Sequence, residues 1–287
     1  MNLRSVRKKI KSVDNVKKIT KAMELVSAVK MKKFQELAEE STPYQKFLER
    51  GIRNIVKNLE KSISSLLQAP LNAQNRNLIV LISSNKGLCG AFNISLARYL
   101  LKNADKNKTD IVSIGKKGTS LANSLGFKVV EDYSSNDPYE NISALFDSIY
   151  QQYIEGKYNN IQIFYNSFVS PIEYTPVNQT LLPVQFNEID ENSEVQDFYK
   201  NYLIEPSADQ IMHSLLLNYV EEKIRFAVTQ TQAGEHSARM MAMQNATNNA
   251  TDILINLTLL RNKLRQENIT NELLDMITAK ESVEISN

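Results

Sequence analysis

The residues best able to do chemistry lie in the segment "LISSNKGLCGAFN", residues 81–93. An apolar run leads into a turn that contains Gly87 and Gly90, together with Lys86 and the chain's only cysteine, Cys89. A strand, a glycine turn and a helix N-terminus together present backbone N–H groups to an anion. The pattern therefore raises two possibilities, a phosphate-binding loop and the nucleophile turn of an enzyme.

The detailed spacing supports neither possibility well. Lys86 precedes Gly87 and no hydroxyl residue follows it in register, and two glycines are too few for a dinucleotide-binding fingerprint. A nucleophilic Cys89 would need a base, and the only histidines, His213 and His236, fall in the C-terminal helical pattern. We expect a structural turn with Cys89 packed beneath it, and no catalytic residue, metal or cofactor.

Composition indicates a folded chain rich in long helices. Among 287 residues, 42% are hydrophobic, and only 8 are glycine and 7 proline. No segment reads as a signal or transit sequence, and no run approaches the ~20 apolar residues that span a bilayer. We therefore expect a chain that is not itself inserted in a membrane.

Charge is distributed unevenly along the chain. Residues 1–33 contain eleven basic and two acidic residues, whereas residues 186–209 contain seven acids and one lysine. Fields of opposite sign suggest docking surfaces for different partners. The basic segment has no aromatic residue before Phe34 that could stack on bases, so we expect an acidic protein partner or a solvated helix face rather than nucleic acid.

Periodicity divides the chain into three segments. Residues 1–60 are helical, with Pro43 expected to kink or briefly interrupt the helix. Two apolar blocks, joined by an extra step of three that resembles a coiled-coil stammer, define the predicted seam. The seam residues are Leu3, Val6, Ile10, Val13, Val16, Ile19, Met23 and Val26.

The middle segment, residues 76–200, changes period. Short β-branched runs at 78–82, 111–115, 129–130 and 161–165 alternate with helical patterns near 92–104, 116–125 and 138–155. This alternation predicts a mostly parallel sheet with right-handed crossovers, a Rossmann-like α/β domain. Pro171, Pro176 and Pro183 then mark an extended stretch before an acidic linker.

The last segment, residues 207–280, contains no proline and one glycine, Gly234. A heptad seam is predicted at Met243, Ala246, Ala250, Ile253, Leu257, Leu260 and Leu264. A helix of ~70 residues is ~105 Å long, so it must pack on another long helix. We predict an antiparallel two-helix coiled coil of the terminal segments with the α/β domain inserted between them, and a compact helix bundle is the alternative.

Three segments resemble a known family. They are "IKSVDNVKKITKAMELVSAVKMKKFQ" (10–35), "SSNKGLCGAFN" (83–93) and "GEHSARMMAMQNATNNATDILINLTLLRNKLRQENITNEL" (234–273). In this order they strongly resemble the γ subunits of F-type ATP synthases, over essentially the whole chain. The last segment is long enough to be highly specific.

The resemblance implies a non-catalytic rotor stalk. Its expected partners are the α and β subunits of the catalytic head, the ε subunit, and the c-ring, whose ion-driven rotation would turn the shaft and carry each β subunit through binding, synthesis and release. Nucleotides would bind on α and β. The implied location is the cytoplasmic face of a bacterial plasma membrane, with peripheral attachment through the c-ring.

The resemblance also implies contacts with the β subunit. Arg265 and Gln266 align with a pair that hydrogen-bonds a β "catch" loop, and Met23 aligns with a methionine near the β lever segment. Arg7 and Lys8, on the basic helix, would face acidic surfaces of β. Glu267 and Asn268 stand where small apolar residues are common in the family.

Two other functions stay open at this point. The first is a stand-alone nucleotide-binding α/β enzyme with helical extensions, which would bind or hydrolyse ATP without partners. The second is DNA binding by the basic helix, which would show a steep salt dependence.

Overall fold

The computed structural model describes residues 2–58, 66–68, 70, 74–135, 137, 139–185 and 208–285. The predicted acidic linker at 186–207 lies outside these residues. The described elements, in chain order, are α1 (Leu3–Asn58), β1 (Asn77–Ile82), α2 (Phe92–Asn103), β2 (Thr109–Ile114), α3 (Lys116–Ser124), β3 (Lys128–Asp132), α4 (Ile142–Ile154), β4 (Asn160–Ser170), β5 (Glu173–Leu182) and α5 (Ala208–Ile285).

The five strands form one mixed sheet in the order β3-β2-β1-β4-β5. Strands β1–β4 pair parallel with one another, which confirms the mostly parallel sheet predicted from the sequence. Alternate side chains of β1 enter different cores: Val80 packs in one cluster and Ile79 in the other. Because both faces are covered, β1 is apolar throughout most of its length rather than alternating.

The fifth strand lies where only an extended stretch was predicted. β5 pairs antiparallel with β4 and forms an edge of the sheet, with Pro176 opposite Asn166. A proline has no N–H to donate, and an edge strand tolerates this because one of its sides is unpaired. The proline that obscured the strand in the sequence therefore indicates its position at the edge.

The chain divides into two compact units, residues 28–239 and residues 1–27 with 240–287. In the first unit α1 and α5 run antiparallel: the Phe34 ring stacks on His236, and the Gln45 amide donates to the backbone carbonyl of Glu222 at 3.2 Å. Residues 227–239 of α5 are all buried except the half-buried Gln232. A helix that is buried all round belongs to the interior of its unit.

In the second unit, the hydroxyls of Thr20 and Thr247 lie 2.8 Å apart across the helix pair. The buried and half-buried line of α1 advances by three and four residues without a break, so the predicted stammer is wrong. Val16, Ile19 and Val26 are 49%, 59% and 58% exposed. The line consists instead of Leu3, Val6, Ile10, Val13, Lys17, Thr20, Glu24 and Ser27.

Two further expectations about the helices need correction. Ile253 is exposed, and the adjacent Leu254 is half-buried in its place, although the other predicted seam positions of α5 are buried or half-buried. Helix α1 also continues through Pro43, so the brief interruption that was one of the two predicted effects of this proline does not occur.

The Thr20–Thr247 pair fixes the register of the second unit. In an antiparallel pair it places Leu3, the first residue of α1, opposite Leu264. Side chains 265–280 of α5 are all exposed. They are exposed because α1 begins at the level of Leu264 and does not cover them.

The position of the seam can be tested by placing a charge at a residue within it and, in a second variant, at an exposed residue beside it. Thr20→Glu would bury a carboxylate between the helices and should lower the free energy of unfolding by about 2 kcal/mol or more. Ile19→Glu, at an exposed position, should change it by only about 0.5 kcal/mol. Denaturant unfolding followed by circular dichroism measures both, and a larger loss for Ile19→Glu would restore the apolar seam predicted from the sequence.

Candidate functional site

The glycine turn after β1 is packed against α5. Its backbone enters the left-handed region at Leu88 and Gly90, with φ of 64° and 59°. Cys89 is buried in a cluster with Phe92 and Ala238, which confirms the predicted packing role. Burial raises the pKa of the Cys89 thiol, so the reactive thiolate is disfavoured.

A buried arginine bonds this turn to the helix. The Arg239 guanidinium donates through Nη2 to Glu235 Oε1 at 2.7 Å and to the Lys86 carbonyl at 3.2 Å, and through Nε to the Gly87 carbonyl at 3.3 Å. Its Nη1 lies 3.2 Å from His236 Nδ1. We call this group, formed by Glu235, His236, Arg239 and the two carbonyls, the arginine junction.

The pKa values of Glu235 and His236, two ionisable groups of the arginine junction, are shifted in opposite directions. Burial raises the pKa of Glu235, and the adjacent Arg239 opposes that shift. Burial, helped by the positive charges of Arg239 and Lys30, lowers the pKa of His236 to about 4. His236 is therefore neutral near pH 7, so its Nδ1 can accept a hydrogen bond from the guanidinium while the ring stacks on Phe34.

A glycine allows the helix to approach the turn closely. A Cβ built on Gly234 would lie 3.1 Å from Cε2 of Phe92, tighter than nearly all real Cβ contacts. Phe92 in turn makes an edge-on contact with Tyr174 of β5, with ring centroids 5.1 Å apart. The sequence analysis did not assign Gly234 a role, although a lone glycine inside a long helical pattern was the available signal.

The carboxyl edge of the sheet, where α/β folds usually bind phosphates, is filled by the chain itself. The first N–H groups of α3 are already bonded: Gly118 donates to Ser83 Oγ at 2.7 Å, and Lys116 to Asn85 Oδ1 at 3.2 Å. A Cβ on Gly115 would lie 2.2 Å from the Ser83 carbonyl oxygen. These groups are committed to internal bonds, which favours the structural interpretation of the turn.

The part of the chain that the structure describes holds no His, Cys, Asp and Glu cluster able to bind a metal ion.

The predicted partner-contact residues all lie in the unit formed by residues 1–27 and 240–287. Arg7 and Lys8 are exposed on α1, and Arg265 and Gln266 are exposed just beyond the level at which α1 begins. Met23 is half-buried and lies about 24 Å along the helix from Arg7. The structure therefore places four of the five residues toward one end of this helix pair, with Met23 apart from them.

These features define a class of fold in which two terminal helices pair antiparallel and the last one is bonded into an α/β domain. No described helix has a stretch long and apolar enough to cross a bilayer.

Comparison with known proteins identifies the family. The ATP synthase family model matches residues 2–283. The ATP synthase gamma chain of Bdellovibrio bacteriovorus is 34% identical over 98% of this chain and 99% of its own length, and that of Variovorax paradoxus is 35% identical over 96% of each. The chain belongs to the ATP synthase γ chain family, as the sequence resemblance predicted.

Solved structures agree on the fold. A chain of the Euglena gracilis mitochondrial ATP synthase, from a structure containing F1 and the c-ring, matches with a TM-score of 0.67 at 17% identity, over 98% of this chain and 94% of that one. A chain from the central stalk and c-ring of the Tetrahymena thermophila enzyme matches with a TM-score of 0.60 at 24% identity, over 79% and 99%. These matches confirm the predicted fold class. Membership of the γ chain family makes the chain a central-stalk subunit and not the catalytic one, as predicted. F1, to which the stalk belongs, is peripheral to the membrane sector.

The arginine junction can be tested by removing one partner. Arg239→Leu leaves the Glu235 carboxylate buried without its cation, and should lower the free energy of unfolding by about 3–5 kcal/mol. The double variant with Glu235→Leu removes both charges and should recover part of that loss. Chemical denaturation of the native full chain, of Arg239→Leu, of Glu235→Leu and of the double variant measures the cycle. A loss in the double variant equal to the sum of the two single losses would show that the two side chains are not coupled.

The junction also predicts a dependence of stability on pH. The pKa of His236 is lowered in the fold, so as the pH falls below the ordinary histidine value of about 6.5 the unfolded state binds a proton that the folded state does not. This lowers stability progressively down to about pH 4, by roughly 3 kcal/mol at most. The raised pKa of Glu235 acts in the opposite direction over the acid range, so the histidine effect must be isolated by comparison with His236→Asn. Between pH 7 and 5, the free energy of unfolding, measured from denaturation curves, should fall more steeply with decreasing pH for the native chain than for His236→Asn.

Proposed function

We propose that this chain is the central rotor shaft of an F-type ATP synthase. Ion flow through the membrane sector turns the c-ring, the shaft turns with it, and the asymmetric shaft carries the β subunits in sequence through binding, synthesis and release. Nucleotide chemistry takes place on the α and β subunits. The chain contributes shape, stiffness and contact surface rather than a catalytic group.

One observation supports this function above the others: α5 is a single helix whose residues 227–239 are enclosed and whose residues 265–280 are bare. The enclosed stretch is bonded to the turn after β1 through Arg239, so rotation of the domain about the helix would break buried polar contacts. The bare stretch offers helix surface to surrounding subunits. A rotor shaft needs one part that is fixed to its own domain and another part whose surface contacts the surrounding subunits.

Each of the three predicted segments, 1–60, 76–200 and 207–280, has a proposed partner in the complex. Arg265, Gln266 and Met23, with the basic Arg7 and Lys8, would contact the β subunits. The α/β segment and the remaining parts of the helices would meet the ε subunit and the c-ring, and the assembly would lie at the cytoplasmic face of a bacterial plasma membrane. Names of bacterial relatives support that location.

Co-expression is the direct test of the rotor function. A tagged full chain should co-purify with α, β and ε subunits from the same organism, and the assembly should hydrolyse ATP. The isolated chain should neither bind nor hydrolyse ATP. Hydrolysis by the chain alone would instead favour the α/β enzyme considered from the sequence.

The β contact can be tested at Arg265 and Gln266. Changing both to Ala removes the proposed side-chain hydrogen bonds to the β subunit. Losing even one charge-assisted bond of about 1.5 kcal/mol corresponds to about tenfold, so ATP-driven ion pumping by the assembled complex should fall by at least about tenfold. The matched control changes Lys32 and Glu36, a solvent-exposed pair on α1, to Ala. Normal pumping by the first variant would remove these two residues from the proposed contact.

A further inference from the structure

Two exposed aromatic residues lie on α1 in the unit of residues 28–239. Tyr44 is 54% exposed and Phe47 is 66% exposed, more than any other Tyr or Phe side chain that the structure describes. Leu48 and Ile52 of the same helix pack in or against the core of this unit, so Phe47 lies on the side of α1 that is turned away from the core. Neither the arginine junction nor the proposed β contacts involve this surface.

An arginine lies beside the more exposed ring. The guanidinium carbon of Arg50 is 6.0 Å from the centroid of the Phe47 ring, in cation–π geometry, and the Arg50 residue is exposed. Aromatic and arginine side chains are enriched at the cores of protein interfaces and among the residues that contribute most to binding. An exposed guanidinium next to a ring can also bind a carboxylate of a partner through two parallel hydrogen bonds.

A glycine lies on the same part of the helix. Gly51 follows Phe47 by four positions and Tyr44 by seven, so the three residues lie near one face. Glycine in a helix interior is less favourable than any residue except proline. Packing within the chain does not require it here, because a Cβ built on Gly51 would meet no atom within 4 Å, whereas one on Gly234 would meet Phe92 at 3.1 Å. The open space at Gly51 allows the backbone of another chain to approach α1 closely.

These residues lie on the side of α1 and not at its end. The group, which we call the aromatic surface, consists of Tyr44, Phe47, Arg50 and Gly51. Phe47 precedes Asn58, the last residue of the helix, by eleven positions, or about 17 Å of helix. It follows Met23, the nearest of the proposed β contacts on α1, by 24 positions, or about 36 Å of helix. A partner that covers the aromatic surface therefore packs alongside the helix, away from the proposed β contacts.

We propose that the aromatic surface is the docking site of the ε subunit. This inference rests on the proposed rotor function, which names ε and the c-ring as partners of this part of the chain. The c-ring would meet the shaft at its end, whereas ε is the proposed partner that would pack along its side. The aromatic surface requires a partner that covers both rings with apolar groups, brings its backbone up to Gly51 and presents a carboxylate to Arg50.

Binding of purified ε subunit from the same organism to the full chain, measured by isothermal titration calorimetry, tests the docking site. Phe47→Ala removes the most exposed ring and should weaken binding at least about tenfold. Gly51→Leu fills the space left for the partner backbone and should weaken binding by a similar factor. If either folded variant binds ε within about twofold of the native chain, the aromatic surface is not the docking site.

Thermal unfolding separates a docking role from a structural one. Gly51→Leu should leave the Tm of the isolated chain unchanged or raise it, because leucine favours the helix and its side chain meets open space. The matched control, Lys32→Leu, places the same residue at a 77% exposed position of α1 and should leave the affinity for ε unchanged. A clear drop in the Tm of Gly51→Leu would instead assign the glycine to packing within the chain and overturn its docking role.

Photo-crosslinking identifies the partner that covers the aromatic surface. With p-benzoylphenylalanine in place of Phe47 in the co-purified complex, the crosslinked product should contain ε. A complex whose products contain only the c subunit, α, β or another segment of this chain, or that gives no product, would overturn the choice of ε. Failure of the chain to co-purify with α, β and ε would contradict the rotor function and the docking site together, so the two failures are distinguishable.

Discussion

The bonds of the Arg239 side chain are the constraint on which the α/β unit depends. A guanidinium carries five donors in a fixed plane, and here they are directed to a carboxylate, an imidazole and two backbone carbonyls of one turn. Such a buried charge is stable only if its partners are held in place. The helix must therefore come close to the turn, and Gly234 permits that approach beside Phe92.

The bonds of Arg239 also bear on whether the turn after β1 could act as a nucleophile or bind phosphate. A thiol beside a guanidinium could in principle be activated, but burial is the largest influence on Cys89 and raises its pKa. His236, the only imidazole of the junction, is neutral and already interacts with Arg239. The sequence segment that first suggested a phosphate loop is thus occupied by its own protein contacts, on the α3 side through Ser83 and on the α5 side through Arg239.

Local patterns were enough to predict most of the fold. The runs at 78–82 and 161–165 fall within β1 and β4, because buried parallel strands are apolar over most of their length. β5 was missed because Pro176 and exposed polar residues disrupt the pattern on an edge strand. The arginine junction was not predicted either, since it joins Lys86 to Arg239 across 153 positions and a single sequence carries no signal for contacts at that distance.

The seam of α1 shows a different limit. Periodicity identified the helix but assigned the wrong face after Val13, because apolar residues such as Ile19 were taken to be internal. An exposed apolar stripe suits a subunit that works inside an assembly, since partner surfaces and coiled-coil seams attract the same residue types. A sequence pattern alone cannot distinguish a face that packs within the chain from one that packs on a neighbour.

A polar seam has a physical use in such a helix pair. Apolar side chains in a heptad pattern pack almost as well after a slip of seven residues, so they specify the register weakly. The Thr20–Thr247 hydroxyl pair exists in one register only. A slip of one heptad would set Thr20 opposite Met240 or Leu254, and losing the hydroxyl contact would cost about 1 kcal/mol. The pair therefore fixes the register of the helices while the apolar residues of α1 remain free to face the surrounding subunits.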